Sequence, residues 1–237
     1  MSLNREKIEH IISEHDADLY IFPELFLTRY GNSNYSDEEV NDAIESLWNL
    51  SRKRDCAIAV GTPVFNNNLY NSLLFITRES LQRYDKLYLA NFAPYNEDVF
   101  TKGKGPVMVE FKGWKIGLEV CYDVMFPEIH RDYAIHGADL VIVSSASARK
   151  SEIPMMTVLP ARSFENTVFT AYCNNCGEGP AGPYFGGSVL FSPLGEIMGQ
   201  AGRIEEILSF TLSKDEIERA RNNRHHLSDL RMDIEWL

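Results

Sequence analysis

The sequence predicts an α/β fold in which helices cover β-sheets in a layered sandwich. Three observations support this prediction: amphipathic helices alternate with short apolar strands, several strands are joined by hairpin turns, and one helix-to-strand pattern occurs twice. The 237 residues contain no linker-like or low-complexity tract and no change in composition, so we expect a single domain over residues 1–237.

The first half of the chain predicts two helices and a series of short strands. Apolar residues recur at helical spacing from Asn4 to His15, and a short buried strand follows from Leu19 to Phe22. Ser36 and Glu39 have the Ser-x-x-Glu spacing of a capping box, which predicts the start of the second helix. Further strands are expected over residues 57–60, 64–65, 73–76, 81–89, 107–111 and 115–120, with hairpin turns at 66–68 and 112–113.

The second half repeats the plan of the first. The segment His15–Phe22 matches His136–Val143 at several positions, and in each a helix end leads into a strand. Both strands would finish at corresponding sheet edges, followed by Glu24 in one case and by residues 144–149 in the other, and such edges are where open α/β sheets place their sites. The rest of the chain predicts helices over 155–165 and 214–221 and strands over 167–173, 188–191 and 207–211.

Charge and composition narrow the classes of partner. The formal net charge of −11 disfavours nucleic acid and anionic membrane surfaces. The sequence has no apolar run of about eighteen residues and no signal-peptide pattern, so we expect a soluble cytoplasmic protein. Four cysteines are too few to staple a domain of this size and are expected to be reduced thiols: Cys56, Cys121, Cys173 and Cys176.

Three separate stretches contain residues that could carry chemistry. They are Phe-Pro-Glu-Leu-Phe-Leu-Thr at 22–28, Tyr-Asp-Lys-Leu-Tyr-Leu at 84–89, and Glu-Val-Cys-Tyr-Asp at 119–123 with Phe-Pro-Glu at 126–128. Taken together, and in this order, they resemble the nitrilase superfamily of carbon–nitrogen hydrolases over nearly the whole chain. The resemblance implies a four-layer αββα sandwich, no metal or other cofactor, and assembly into a homodimer or larger homo-oligomer.

The resemblance also implies roles for particular residues. Glu24, Lys86 and Cys121 correspond to the catalytic triad, and Glu97, before Phe100-x-x-Gly103, to a further catalytic glutamate. Arg162–Asn166 is similar to the family's Arg-Ala-x-Glu-Asn helix. The remaining candidates are the backbone N–H of Tyr122 as an oxyanion donor, and Ser145 and Arg149 as substrate contacts.

These residue types suit attack on an amide or nitrile carbon. A thiol with an ordinary pKa of about 8.5 is mostly protonated at neutral pH and needs a base. Glu24 follows a buried strand, where desolvation raises the pKa of a carboxyl group and makes it a better base. Lys86 would favour the thiolate and stabilise the negative charge that develops on attack.

Each candidate residue also has an ordinary structural interpretation. Cys121 alone could be a core thiol, Glu24 a turn carboxylate, Lys86 an exposed strand residue and Glu97 a solvated loop residue. The pair Arg149–Lys150 could meet a substrate carboxylate or simply be solvated. Two other clusters are interpreted as structural, with Cys173-x-x-Cys176 packing at a strand end and His225–His226 at the surface.

The predicted activity is hydrolysis of a small amide, of the ω-amide or N-carbamoyl type, through a cysteine thioester with release of ammonia. Two alternatives stay open: nitrile hydrolysis by the same triad, and a non-catalytic binding or regulatory protein with this fold.

The chain departs from the family pattern in two places. It starts almost inside its first helix, with Met1-Ser2-Leu3 resembling an added leader, so the usual first strand is expected to be missing; and residues 144–148 lack the proline and tryptophan often found there.

Overall fold

A computed structural model describes residues 2–93, 95–180, 182–231 and 233–234, and its first sheet has four strands. In spatial order these are β1 (Leu19–Ile21), β2 (Ala57–Asn66), β3 (Asn68–Ile76) and β4 (Leu81–Asp85). β1 is parallel to β2, and the other neighbours are antiparallel. Residues that follow β1 and β4 in the chain are the ones that matter for the site described below.

The second sheet has six strands and a parallel centre. In spatial order they are β10 (Ile197–Gln200), β9 (Val189–Phe191), β8 (Phe169–Asn174), β7 (Leu140–Ser145), β6 (Trp114–Val120) and β5 (Met108–Phe111). β6, β7 and β8 are mutually parallel, so their carboxyl ends meet at one edge.

Helices cover the outer faces of both sheets and complete four layers, as expected from the family resemblance. Alternation along β2 shows the arrangement: Ile58 and Val60 pack with helices α1 (Ser2–Glu14) and α2 (Asp37–Arg54), whereas Ala57 and Ala59 face the core shared with the second sheet. The outer side of the second sheet is covered by α3 (Pro127–Ile135) and α4 (Glu152–Asn166), and α5 (Lys214–Asn223) adds Ile217 to the same core. The architecture is therefore αββα.

Local sequence signals appear in the structure where they were expected. Ser36 is the N-cap of α2 and forms a capping box with Glu39, each side chain accepting from the other's backbone N–H. The β2–β3 hairpin turns at Asn67, with φ 60°, and the β5–β6 hairpin turns at Lys112 and Gly113, with φ 46° and 79°.

The structure corrects several predicted elements. β4 ends at Asp85 rather than at 89, because the Tyr88 N–H donates to the Asp123 carboxylate instead of to a neighbouring strand. Residues 207–211 are not a strand in the described chain; they form irregular backbone, with the Phe210 ring against Gly199 of β10. β10 itself was not predicted.

The described chain begins within α1, and Met1 of the expected leader lies outside the described residues. Among the helices that the structure describes, none is long and apolar enough to span a membrane.

Candidate active site

Glu24 lies in the turn that follows β1, where four contacts hold it. Its side chain is 1% exposed, and its Oε1 accepts from Asn71 Nδ2 at 2.8 Å and from Lys86 Nζ at 2.7 Å. Asn175 Nδ2 donates to the Glu24 carbonyl at 3.1 Å, and the turn crosses directly over Gly61 of β2. Oε2 has no hydrogen-bond partner within the described part of the chain, although it is buried.

Lys86 follows β4 and bridges two buried carboxylates. Its Nζ donates to Oε1 of Glu24 and to Oε1 of Glu97, each at 2.7 Å, and all three side chains are 1% exposed. Burial alone would lower the pKa of Lys86, but the two carboxylates raise it well above its ordinary value. Burial raises the pKa of Glu24, opposed by Lys86 and reinforced by Glu97. Lys86 is thus a fixed ammonium.

Glu97 is a buried, fully anchored side chain and not a solvated loop residue. The Tyr30 hydroxyl donates to its Oε1 at 2.8 Å, and the Ala90 N–H donates to its Oε2 at 2.8 Å. Its own N–H donates to Asn91 Oδ1 at 2.8 Å. These bonds fix the carboxylate that faces Lys86.

Cys121 is the first residue of a short 3-10 helix, Cys121–Met125, that begins where β6 ends. Its φ of 50° lies in the left-handed region, which is unfavourable for a residue with a Cβ and is found where surrounding structure enforces it. Here Asp123 provides that support, since its carboxylate accepts from the Val120 N–H at 3.2 Å and from the Tyr84 hydroxyl at 2.7 Å. The sharp turn presents the sulfur to a cavity.

Burial favours the protonated form of the Cys121 thiol. Burial and the negative charge of Glu24 raise the pKa of Cys121 to about 12, while Lys86 and nearby serine hydroxyls act in the opposite direction. A proton must therefore leave the sulfur before or during any nucleophilic attack.

One cavity contains Glu24, Glu97 and Cys121 in its wall and has a volume of about 240 Å³. Apolar and aromatic side chains make up much of the rest: Tyr30, Phe92, Tyr95, Tyr122, Met125 and Met155. Among the lining residues that the structure describes there is no lysine or arginine. The cavity fits a small, mostly apolar molecule with one reactive polar group.

Other predicted residues lie at the edge of this arrangement or outside it. The Tyr122 N–H belongs to the first turn of the 3-10 helix, where backbone donors have no partner within the helix. Ser145 is fully buried and contacts Ser147 rather than the cavity, and the exposed Arg149 is not a lining residue. The roles of Ser145 and Arg149 as substrate contacts stay predictions.

In the Cys173-x-x-Cys176 and His225–His226 clusters, Cys173 and His226 contact backbone carbonyls. Cys173 Sγ lies 3.4 Å from the Ile21 carbonyl, and His226 Nε2 lies 3.0 Å from the Phe164 carbonyl. Cys173 and Cys176 are both free thiols. No cluster of three potential metal-ligating side chains occurs among the described residues.

Sequence reasoning missed several residues of the site, including Tyr30, Asn71 and Ser147. Tyr30 and Asn71 act across 67 and 47 residues of chain, and no local pattern marks them. Ser147 had one available signal, its position two residues after the end of β7, at the edge where the other candidates were expected.

Comparison with known proteins defines the class as that of the amidase-type hydrolases. The sequence profile of the carbon-nitrogen hydrolase family matches residues 2–222. An (R)-stereoselective amidase from a Pseudomonas species is 30% identical over 224 residues, covering 92% of this chain and 81% of that enzyme. The chain belongs to the carbon-nitrogen hydrolase family.

Two further comparisons agree with this assignment. The NitN amidase from Nesterenkonia sp. AN1 superposes with a TM-score of 0.83 and 30% identity, covering 97% of this chain and 91% of that one. Another structure of the Nesterenkonia amidase shows Michael addition of acrylamide at its active-site cysteine. A glutamine-dependent NAD(+) synthetase from Aquifex aeolicus is 33% identical over 232 residues, and the match covers 92% of this chain but only 41% of the synthetase.

Proposed function

We propose that the protein hydrolyses a small amide by nucleophilic attack of Cys121, with a thioester intermediate and release of ammonia. The observation that carries the proposal is the paired arrangement beside the cavity. Lys86 Nζ lies between the carboxylates of Glu24 and Glu97, and Glu24 and Cys121 both line one small cavity. Glu24 Oε2 has no hydrogen-bond partner among the described residues. This arrangement supports a mechanism in which Glu24 is the base and Cys121 the nucleophile, with the Lys86 ammonium bonded to the Glu24 carboxylate.

In the first half-reaction, Glu24 takes the proton from Cys121 as the sulfur bonds to the amide carbon. The carbonyl oxygen becomes negative and is stabilised by the Lys86 ammonium and the Tyr122 N–H. An ammonium has three N–H donors, and Glu24 and Glu97 accept two of them, which leaves one for the substrate. Glu24 then returns its proton to the nitrogen, the C–N bond breaks, and ammonia leaves a thioester on Cys121.

In the second half-reaction, Glu24 removes a proton from water as the water oxygen attacks the thioester carbon. The C–S bond breaks, the sulfur takes up the proton held by Glu24, and the carboxylic acid departs. Glu97 keeps Lys86 in place throughout, since its own bonds to Tyr30 and Ala90 leave it no freedom to turn away.

For the substrate, we propose a primary amide at the end of a short chain, an ω-amide, with an N-carbamoyl compound as the second choice. Glutamine, named in the synthetase relative, carries such an ω-amide. The cavity holds the apolar part of the chain, and its described lining offers no basic side chain to a distant carboxylate. Such a carboxylate would lie at the mouth, on the side of the exposed Arg149 and Lys150.

Ammonia release from a matched panel tests this proposal. Butyramide, succinamate, N-carbamoylglycine and butyronitrile share a small size but differ in the reacting group or in charge. We expect turnover of both amides, and no turnover of any compound by Cys121→Ala. If butyronitrile is hydrolysed and butyramide is not, the protein is a nitrilase; amide turnover that survives Cys121→Ala would refute the mechanism.

A further inference from the structure

A chain of three buried hydroxyl groups leads to the sulfur of Cys121. The Tyr172 hydroxyl donates to Ser145 Oγ at 3.1 Å, Ser145 Oγ lies 2.8 Å from Ser147 Oγ, and Ser147 Oγ lies 3.4 Å from Cys121 Sγ. None of the three hydroxyl residues is more than 2% exposed. The amide mechanism above uses none of them.

The direction of this chain follows from counting donors. Each hydroxyl has one proton. Tyr172 gives its proton to Ser145, so the Ser145 proton is available to Ser147 and the Ser147 proton to the sulfur. When Cys121 becomes a thiolate it can only accept, which fixes the order as Tyr172 to Ser145 to Ser147 to sulfur.

We propose that Ser147 is a further catalytic residue, which donates a hydrogen bond to the Cys121 thiolate and is polarised for this by Ser145 and Tyr172. The inference rests on the proposed role of Cys121 as nucleophile. In the resting thiol, the same bond occupies a lone pair of the sulfur and leaves the S–H proton for another acceptor. The bond strengthens when the sulfur becomes negative, because hydrogen bonds to ionised acceptors are stronger than neutral ones.

Ser147 is suited to this task because its backbone is held independently of its hydroxyl. The Ser147 N–H donates to Asn174 Oδ1 at 2.8 Å, and the Ser147 carbonyl accepts from Asn174 Nδ2 at 3.2 Å. The Ser147→Ala variant therefore keeps the backbone after β7 in place, while it removes both the donor to sulfur and the acceptor for Ser145. Ser147 also lines the cavity, whereas Ser145 and Tyr172 lie behind it.

The test measures the alkylation rate of Cys121 by iodoacetamide between about pH 7 and 9, followed by peptide mass spectrometry, together with kcat and KM for butyramide. We expect Ser147→Ala to lower the alkylation rate about tenfold at each pH and to lower kcat by a similar factor, with KM little changed. Tyr172→Phe, at the far end, should lower both rates about twofold.

The double variant decides whether the hydroxyls act as a chain. If they do, Tyr172→Phe has a smaller effect once Ser147 is alanine than it has in the wild type, because the Ser147 link to the sulfur is already broken. Ser51 of α2 provides a control, because its buried hydroxyl donates to the Cys56 carbonyl and lies outside the candidate site. Ser51→Ala controls for a general loss of stability and should leave both rates unchanged.

Wild-type rates in Ser147→Ala, or independent multiplying effects of the two substitutions, would overturn the relay. Failure of the underlying function gives a different result. In that case the wild-type protein itself would release no ammonia, and its Cys121 would react no faster than Cys56.

Discussion

The ion pairs of Lys86 with Glu24 and Glu97 predict how much stability is lost when Lys86 is replaced. Replacing Lys86 with methionine keeps an unbranched chain of similar length but leaves Glu24 and Glu97 buried without their cation. At 2.7 Å and an effective dielectric of about 20, each carboxylate attracts the ammonium by about 6 kcal/mol, most of which offsets the cost of burying the charges. Removing one partner of such a group costs about 3–5 kcal/mol, and two stranded carboxylates place this variant near the upper value.

Urea unfolding at pH 7 and at pH 5 checks this value and its cause. The penalty should be smaller at pH 5, because burial raises the pKa of Glu24 and loss of the opposing ammonium raises it further, so that protonation removes buried charge. Lys214→Met is the matched control, since Lys214 pairs with Asp139 at 2.8 Å but is 45% exposed, and surface pairs contribute about 0–1 kcal/mol. A loss below about 1 kcal/mol, or equal losses at both pH values, would contradict the reasoning.

Three further predictions concern substrate charge, backbone crowding and pH. Arg149→Ala should raise KM for succinamate and not for butyramide, with Lys150→Ala as the comparison; equal changes for both amides would exclude the contact. Gly61→Ala should lower kcat about 100-fold, because its Cβ would lie 2.6 Å from the Glu24 Cα, whereas Gly105→Ala, with nothing within 4 Å, should be neutral. Burial raises the pKa of Asp123 from 3.8 to about 7, so between these values the folded protein binds a proton that the unfolded chain has lost. The stabilisation from this proton disappears as pH rises through about 7. In urea unfolding, the wild type should therefore lose about 3 kcal/mol of stability relative to Asp123→Asn between about pH 5 and 8, and parallel pH profiles of the two proteins would exclude this.

The parts of the fold that were predictable are those with a strong local signal. Apolar periodicity located α1 and the central strands, and the Ser36 capping box marked the start of α2 to the residue. β10 had no such signal, since three of its four residues are exposed and show no apolar alternation. Residues 207–211 have a composition typical of a strand, but in the described structure they pair with no other strand, so the prediction from composition was wrong.

The candidate site was predictable only through its ordered motifs. Glu24, Lys86 and Cys121 each adjoin a strand end, and the three motifs together predict them as site residues where one motif alone would not. The residues that orient them could not be found in this way. Asn71 sits within an ordinary strand, and its contact with Glu24 exists only because β2 and β3 pair and the turn after β1 crosses them.

The proposed base and the proposed nucleophile follow strands of different sheets, so the packing between the sheets sets the geometry of the candidate site. Glu24 follows a strand of the first sheet, and Cys121 follows a strand of the second. Hydrogen bonds cross between the sheets at this edge: Asn175 Nδ2 to the Glu24 carbonyl at 3.1 Å, and the Tyr84 hydroxyl to Asp123 at 2.7 Å. Because densely packed cores transmit small displacements, a substitution between the sheets would change the distance from carboxylate to sulfur while the fold remained intact. Activity should therefore be lost at a smaller perturbation than stability.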